Sequence, residues 1–302
     1  MRYELTILLL GSYQPIELSK DEFEAIKSAQ NCMFVALGIE ERLNLLMDNY
    51  AEFEQEMFNQ SLRYTLFHDS NWASFTTDLH TMNRRFANLL TASRLYVDQV
   101  KHELSSLFGK ESKEFTEFSQ SCSHEYDTHL GYRVMEELRN IMQHQGLPIQ
   151  QLERTSERVE RGESYLLKSS STLSVNMSHL KETAQIKSRI LKELEQVQIK
   201  GGVNIKPLVR EYISCINRLH KSTRVMLVPH FQKWNATFEK AILALHAKFG
   251  KDITGGGVIA RDENGKGVES LYLVDDIKKK FDVLQQRNSC IARHEIQYIS
   301  TE

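Results

Sequence analysis

Proline is scarce in this chain, four residues among 302, and glycine occurs only fourteen times. These are the residues that most often interrupt helices, so their scarcity predicts long, unbroken ones. Cysteine is equally rare. Cys32, Cys122, Cys215 and Cys290 stand far apart with no C-x-x-C pair, which excludes a zinc ribbon and points to free thiols in a reducing cytoplasm. Long hydrophobic runs are missing too. The apolar part of MRYELTILLLGSYQ is six residues, too short to span a membrane and without a small-residue cleavage site. It reads as a buried first strand, in a cytoplasmic protein with no membrane partner. Nor is there an excess of positive charge: the formal net charge is −2, so contact with nucleic acid must come from a local patch. G-x-S-x-G elbows, Rossmann fingerprints and P-loop spacings are all absent.

What the chain does have is helical periodicity. Ser19-Lys20-Asp21-Glu22 reads as a capping box. Behind it Phe23, Ile26, Met33, Leu37, Leu46, Tyr50, Phe53 and Met57 recur at helical spacing to about Phe67, as one very long helix or two joined near Gly38. A second helix is predicted from Asn71 to Gly109 and a third over 112–145, which together favour an antiparallel bundle. The character changes after Pro148. Residues 150–163 are strongly charged and read as a short helix, SYLLKSSSTLSVNM as extended chain, and HLKETAQIKSRILKELEQVQIK as helix stopped at Gly201-Gly202. Pro207 suits the first turn of a long helix, which Pro229 should break or kink before it ends at Gly250. Two β-prone runs flank Asn264-Gly265, the signature of a hairpin with a type I′ turn. A helix over 275–287 and a β-like HEIQYIS follow. The expected fold is mainly α: a helical bundle with an N-terminal strand over 1–150, then a mixed segment over 151–302 with long helices, a small β-hairpin and a short helix. The N-terminal strand is expected to join that hairpin.

The stretch MEELRNIMQHQGLPI, residues 135–149, carries the chemistry of interest. On a helix Val134, Met135, Leu138, Ile141 and Met142 form one apolar stripe. Arg139, Asn140 and His144 lie off it, on a polar face shared with Tyr132, Arg133, Glu136 and Gln143. Arg–His spacing alone carries no weight. With 18 Arg and 11 His in the chain, pairs separated by four to six residues recur at Arg63/His68, Arg224/His230 and Arg287/His294 as well. The Asn after Arg139, the polar-face placement and the helix stop at Gly146 and Pro148 distinguish this pair, with Arg287-Asn288…His294 as second choice. Histidine titrates near neutrality and can act as acid or base, while arginine grips phosphate oxygens bidentately.

Arg139, the polar Asn140, three residues and His144 resemble the R-polar-x-x-x-H motif of the HEPN superfamily (higher eukaryotes and prokaryotes nucleotide-binding). LGIEERLNLLMDNYAEFE and MNRRFANLLTASRLYVDQV resemble the earlier helices of such proteins, so the resemblance covers roughly residues 19–150. It implies a helical bundle and a metal-independent endoribonuclease that needs no cofactor. It also implies RNA as partner, a homodimer through the helix carrying Arg139 and His144, and a toxin or antiviral-defence role with a protein regulator. In that scheme Arg139 holds phosphate, His144 is the acid/base and Asn140 orients. Arg84, Arg85, Tyr132 and Arg133 are candidates for further RNA contacts. The superfamily also includes non-cleaving members, so the alternative is an inactive helical adaptor binding protein or RNA. A metal enzyme is the third possibility, since CSHEYDTH gathers Cys122, His124, Glu125, Asp127 and His129. The two histidines there are five apart rather than the i, i+4 of a zinc helix.

Overall fold

The computed structural model describes residues 1–9, 11–67, 71–162, 164–182 and 186–297. These are mainly helical with small antiparallel sheets, as the periodicity predicts. No helix among them is long and apolar enough to cross a membrane. In chain order the elements are β1 (Arg2–Ile7), β2 (Ile16–Leu18), α1 (Lys20–Phe67), α2 (Trp72–Phe108), α3 (Lys113–Thr128), α4 (Leu130–His144), β3 (Gln151–Arg161), β4 (Ser164–Asn176), α5 (Met177–Glu182), α6 (Ser188–Val197), β5 (Gly202–Asn204), α7 (Ile205–Phe249), β6 (Gly256–Arg261), β7 (Gly267–Tyr272) and α8 (Ile277–Arg287). They gather into two compact units, neither contiguous in sequence: residues 1–41 with 223–289, and residues 42–222 with 290–302.

In the first unit, the capping box forms as expected. Ser19 Oγ accepts the Glu22 N–H at 3.2 Å, and the Glu22 carboxylate accepts the Ser19 N–H at 2.9 Å. That starts α1, which runs for 48 residues straight through Gly38. β1 pairs antiparallel with both β2 and β6, and β6 with β7, giving the order β2-β1-β6-β7. The N-terminal strand therefore joins the C-terminal hairpin. Leu5, Val258 and Ala260 bury against Phe23, Ile26, Ala241 and Leu245. A neighbouring cluster places Phe231 stacked on Phe281, ring centroids 4.1 Å apart. Pro229 does not break α7, which runs through it for 45 residues in all, with Leu227 and Phe231 buried on either side. The hairpin turn is not type I′ either. Gly265 has φ +78 but Asn264 has no positive φ. Instead the Asp262 carboxylate accepts the N–H groups of Asn264 and Lys266, which closes a wider turn.

The second unit is a helix bundle with a β-ribbon. Phe53 of α1 meets Phe86 of α2, Tyr96 of α2 bonds His220 of α7 at 2.8 Å, and Arg210 of α7 grips Glu54 of α1 through two hydrogen bonds. Residues 150–163 are not helical. β3 pairs with β4 in unbroken register from Gln151↔Ser174 to Arg161↔Ser164, anchored where Leu152 opposes Leu173 and both are buried. α6 ends at Val197, short of the glycine pair, and residues 183–185 of that predicted helix lie outside the described residues. HEIQYIS begins as a 3-10 turn at His294–Ile296 rather than a strand; residues 298–300 lie outside the described residues.

The predicted third helix is two. His129, extended at φ −108 and ψ 121, separates α3 from α4. The cause is Glu211 of α7, whose carboxylate accepts the Gly131 N–H at 2.6 Å and bonds His129 Nδ1 at 3.1 Å. It satisfies a first-turn N–H that a helix start leaves unpaired. α4 and α7 approach so closely that a Cβ on Gly131 would lie 2.5 Å from the Leu208 carbonyl oxygen and 2.6 Å from the Glu211 carboxylate. Gly131→Ala is therefore expected to destabilise the fold by about 2–3 kcal/mol, the range for overpacking, as read from chemical denaturation.

Candidate functional site

α4 is enclosed over its first turns and one-sided beyond them. Gly131 through Met135 are buried in succession, as are Leu138 and Ile141. Arg139 is half-buried and Asn140 and His144 are exposed, so all three lie off the apolar stripe as the sequence predicts. Arg139 Nη1 is 3.4 Å from Asn140 Oδ1. Helix geometry sets Arg139 and His144 about 140° and about 7.5 Å apart along the axis. The helix then stops. The N–H groups of Gln145 and Gly146 both bond the Ile141 carbonyl, at 2.7 and 3.2 Å, and Gly146 takes φ +139.

Beyond the stop the chain is pinned by one side chain of α2. Asn83 of α2 donates to the Ile149 carbonyl at 2.9 Å and accepts the Ile149 N–H at 3.1 Å. A buried side-chain amide that pairs with both backbone groups of one residue fixes the chain there. The end of α4 is thus held from both sides, and His144 stands on a defined last turn.

The auxiliary candidates behave differently. Tyr132 and Arg133 are not on a solvent face: both are buried. Helical period alone cannot reveal this, because the first turns of α4 are enclosed by α3, α6 and α7. Tyr132 packs edge-on to Tyr212. Arg133 donates to the Tyr126 and Asp127 carbonyls at 2.9 and 2.7 Å, and to Glu193 at 2.5 Å. It thereby caps the last turn of α3. Arg85 pairs with Glu52, and Arg84 is exposed. Glu136 is taken by Arg94 at 3.3 Å and Tyr212 at 3.1 Å, so it does not neutralise Arg139. The competing Arg–His pairs resolve the same way. Arg63 pairs with Glu56 and Asp78, while His68 lies outside the described residues. Arg224 bonds both oxygens of Glu40, at 2.8 and 2.6 Å. His294 is buried against Asn217 at 2.7 Å.

The CSHEYDTH segment forms a cluster, though not around its two histidines. His124 is exposed. Glu125 and His129 meet Cys215 of α7, with one ligand atom from each within 4.8 Å of the others. The guanidinium of Arg218 reaches all three: Glu125 at 2.9 and 2.6 Å, His129 Nε2 at 2.9 Å and Cys215 Sγ at 3.1 Å. A fixed positive charge therefore sits where a metal ion would have to go. Burial, then the neighbouring Glu125, pushes the Cys215 thiol well up, which leaves it a poor nucleophile at neutral pH. Burial also pushes Glu125 up, but hydrogen bonds from Arg218 and Cys215 outweigh it and hold the carboxyl below its ordinary value. Sequence reasoning missed Glu211 and Arg218. Their only signal was position, since residues 211, 215 and 218 share one face of α7.

No family model, curated protein or solved structure matches the chain.

Because Glu125 is depressed in the folded state, its pairing contributes fully above the ordinary glutamate value of about 4.3. That contribution is lost as pH falls through the lower folded value. Glu125→Gln is expected to destabilise the protein by roughly 3 kcal/mol at pH 7. Denaturation measured against pH is expected to show the gap to wild type shrinking below about pH 4.

Proposed function

We propose that the protein is a metal-independent endoribonuclease of the HEPN type, with Arg139, Asn140 and His144 as its working residues. One observation carries the reading. Among the described residues Arg139 is the half-buried arginine without a carboxylate partner, whereas Arg42, Arg94, Arg154, Arg210 and Arg218 of the same unit each have one. A guanidinium kept unpaired beside Asn140, which itself shares a face of α4 with the exposed His144 four residues on, is chemically available to an external anion.

The chemistry follows from those side chains. His144 takes the proton from a ribose 2′-hydroxyl, whose oxygen attacks the adjacent phosphorus to give a 2′,3′-cyclic phosphate. The P–O5′ bond breaks and the leaving oxygen takes a proton from an acid. In a dimer that meets through α4, His144 of the partner subunit supplies it. Arg139 neutralises the crowded phosphate, and Asn140 orients it or the ribose. A toxin or antiviral-defence role, under control of a protein regulator, fits this activity.

A second reading rests on a different observation. Asn140 and His144 lie exposed and Arg139 half-buried on the surface of α4, while an open groove of about 590 Å³, lined by Met33, Phe238, Ile242 and His246 among others, lies in the other unit. That is the arrangement of an adaptor whose α4 face binds RNA or protein without cutting. Cleavage of a labelled RNA in excess EDTA separates the two. The ribonuclease reading expects cutting that His144→Ala lowers by at least about 10²-fold, the scale of general acid–base catalysis, with unchanged circular dichroism. Equal cutting by the variant removes His144 from the assignment, and no cutting by wild type with RNA still bound moves it to the adaptor.

A further inference from the structure

The hairpin of β3 and β4 is anchored at one end and free at the other. At its base Leu152 and Leu173 are buried, and Arg154 reaches Asp78 and lies over the Tyr64 ring. From Thr155 to Gly162 every residue is exposed. β4 is covered on its outer edge by β5 at Ser174–Asn176, whereas the outer edge of β3 pairs with no strand among the described residues. A two-stranded ribbon is marginal in water, and an unpaired edge is a template for another strand.

The order of charges on that edge identifies the strand that fits it. Arg161 and Ser164 are paired with two residues between them, and the pair closing such a turn exchanges both backbone hydrogen bonds. Counting back, Arg158 and Glu160 turn their N–H and C=O groups outward and Val159 turns its own toward β4. Outward groups must meet outward groups, so a second β3 running antiparallel must oppose even residues to even and odd to odd. With twofold symmetry each such register is centred on one residue. Centring on Arg154, Glu157, Arg158, Glu160 or Arg161 sets a charge against itself. Centring on Thr155 opposes Glu153 to a second Glu157, and centring on Ser156 opposes Arg154 to a second Arg158. Among the centres from Arg154 to Arg161, only Val159 works. Arg158 then meets Glu160 of the partner subunit, Glu157 meets Arg161 of the partner subunit, and the valines face each other.

We propose that β3 is a self-recognition edge: a second copy of this chain pairs with it antiparallel about Val159, joining two ribbons into one four-stranded sheet. Charges on an exposed edge ordinarily keep strands apart; here, among the registers centred from Arg154 to Arg161, they exclude all but one. The apolar side chains agree. Val159 pairs with Leu166 within the hairpin, and both are exposed, so the two copies complete a continuous row of two leucines and two valines. Glu157, already 2.6 Å from Lys168, becomes the middle of a Lys–Glu–Arg ladder. The inference concerns assembly alone and stands whether or not the α4 residues cut RNA.

Sedimentation over a concentration series is expected to give a species of twice the 35.1 kDa chain mass, or a higher even multiple of it where α4 faces also pair. Arg158→Glu opposes carboxylates at two symmetric places and should weaken the dimer about tenfold or more. Adding Glu160→Arg in the same chain restores opposite charges and should restore the dimer. Val159→Cys places two thiols on Cα atoms about 4.5 Å apart across a non-hydrogen-bonded pair, within disulfide reach. It should give a covalent dimer under mild oxidation where wild type does not. All three positions are exposed, and circular dichroism checks that the fold is unchanged. A wild-type monomer across the series, a dimer indifferent to Arg158→Glu, or no cross-link from Val159→Cys overturns the proposal.

Discussion

The arrangement of the bundle unit depends on one carboxylate. Glu211 takes the first-turn N–H of α4 and the imidazole of His129, and so decides where α3 stops and in which direction α4 leaves. Were α3 to continue through residues 129–131, every side chain after them would rotate to a different face. Glu211 does not act alone. Cys215 and Arg218 follow on the same face of α7, and Arg218 closes on Glu125 of α3. The result is a polar seam between α7 and the α3–α4 corner. Partly buried ion pairs of this kind add little net stability over apolar packing, but losing one partner is costly. Their effect is to make one relative placement of the helices far better than its neighbours.

That seam shows how arginine is used through the rest of the unit. Arg133 caps α3, Arg154 ties β3 to Asp78, Arg210 ties α7 to Glu54, and Arg94 meets Glu136. In each case a planar, permanently charged group with several donors satisfies acceptors that would otherwise be buried unpaired. Arg139 departs from this pattern. It is half-buried, with an amide neighbour that does not cancel its charge. The distinction between structural and available arginines is electrostatic and cannot be read from spacing. Spacing made four Arg–His pairs alike, and the carboxylates that occupy Arg63 and Arg224 include Asp78 and Glu40, 15 and 184 residues away.

What was legible in the sequence was local. The Ser19–Glu22 box, the long apolar periods of α1 and α2, the Asn71 cap bonded to Ser74 and the presence of a C-terminal hairpin all depend on residues within a few positions of one another. The apolar stripe of α4, and with it the outward placement of Arg139, Asn140 and His144, belongs to the same class. The illegible parts share a different cause. The break at His129 is made by a glutamate 82 residues away. Tyr132 and Arg133 are buried because helices on several sides enclose one turn, which a two-faced pattern cannot express. The segment 151–161 alternates Glu and Arg in a way that suits an exposed helix as well as an exposed strand. Its partner strand, supplying a buried leucine opposite Leu152, decided between them.

The candidate site inherits both kinds of determination. Its chemical groups are set locally, by three residues and a helix stop, but their position is set by residues outside the motif. Glu211 fixes the start of α4, and Asn83 fixes the chain just past its end. Between these two clamps α4 is 15 residues long, so rotation of the helix about its axis would have to break one of them. An exposed histidine in the last turn would otherwise sample many directions, because terminal turns fray. Here the backbone bearing it is held while the imidazole itself stays free of intramolecular partners among the described residues. Rigid backbone beneath an uncommitted side chain is the combination that a binding or catalytic group requires, and in α4 it is produced by an amide on α2 and a carboxylate on α7 rather than by the motif itself.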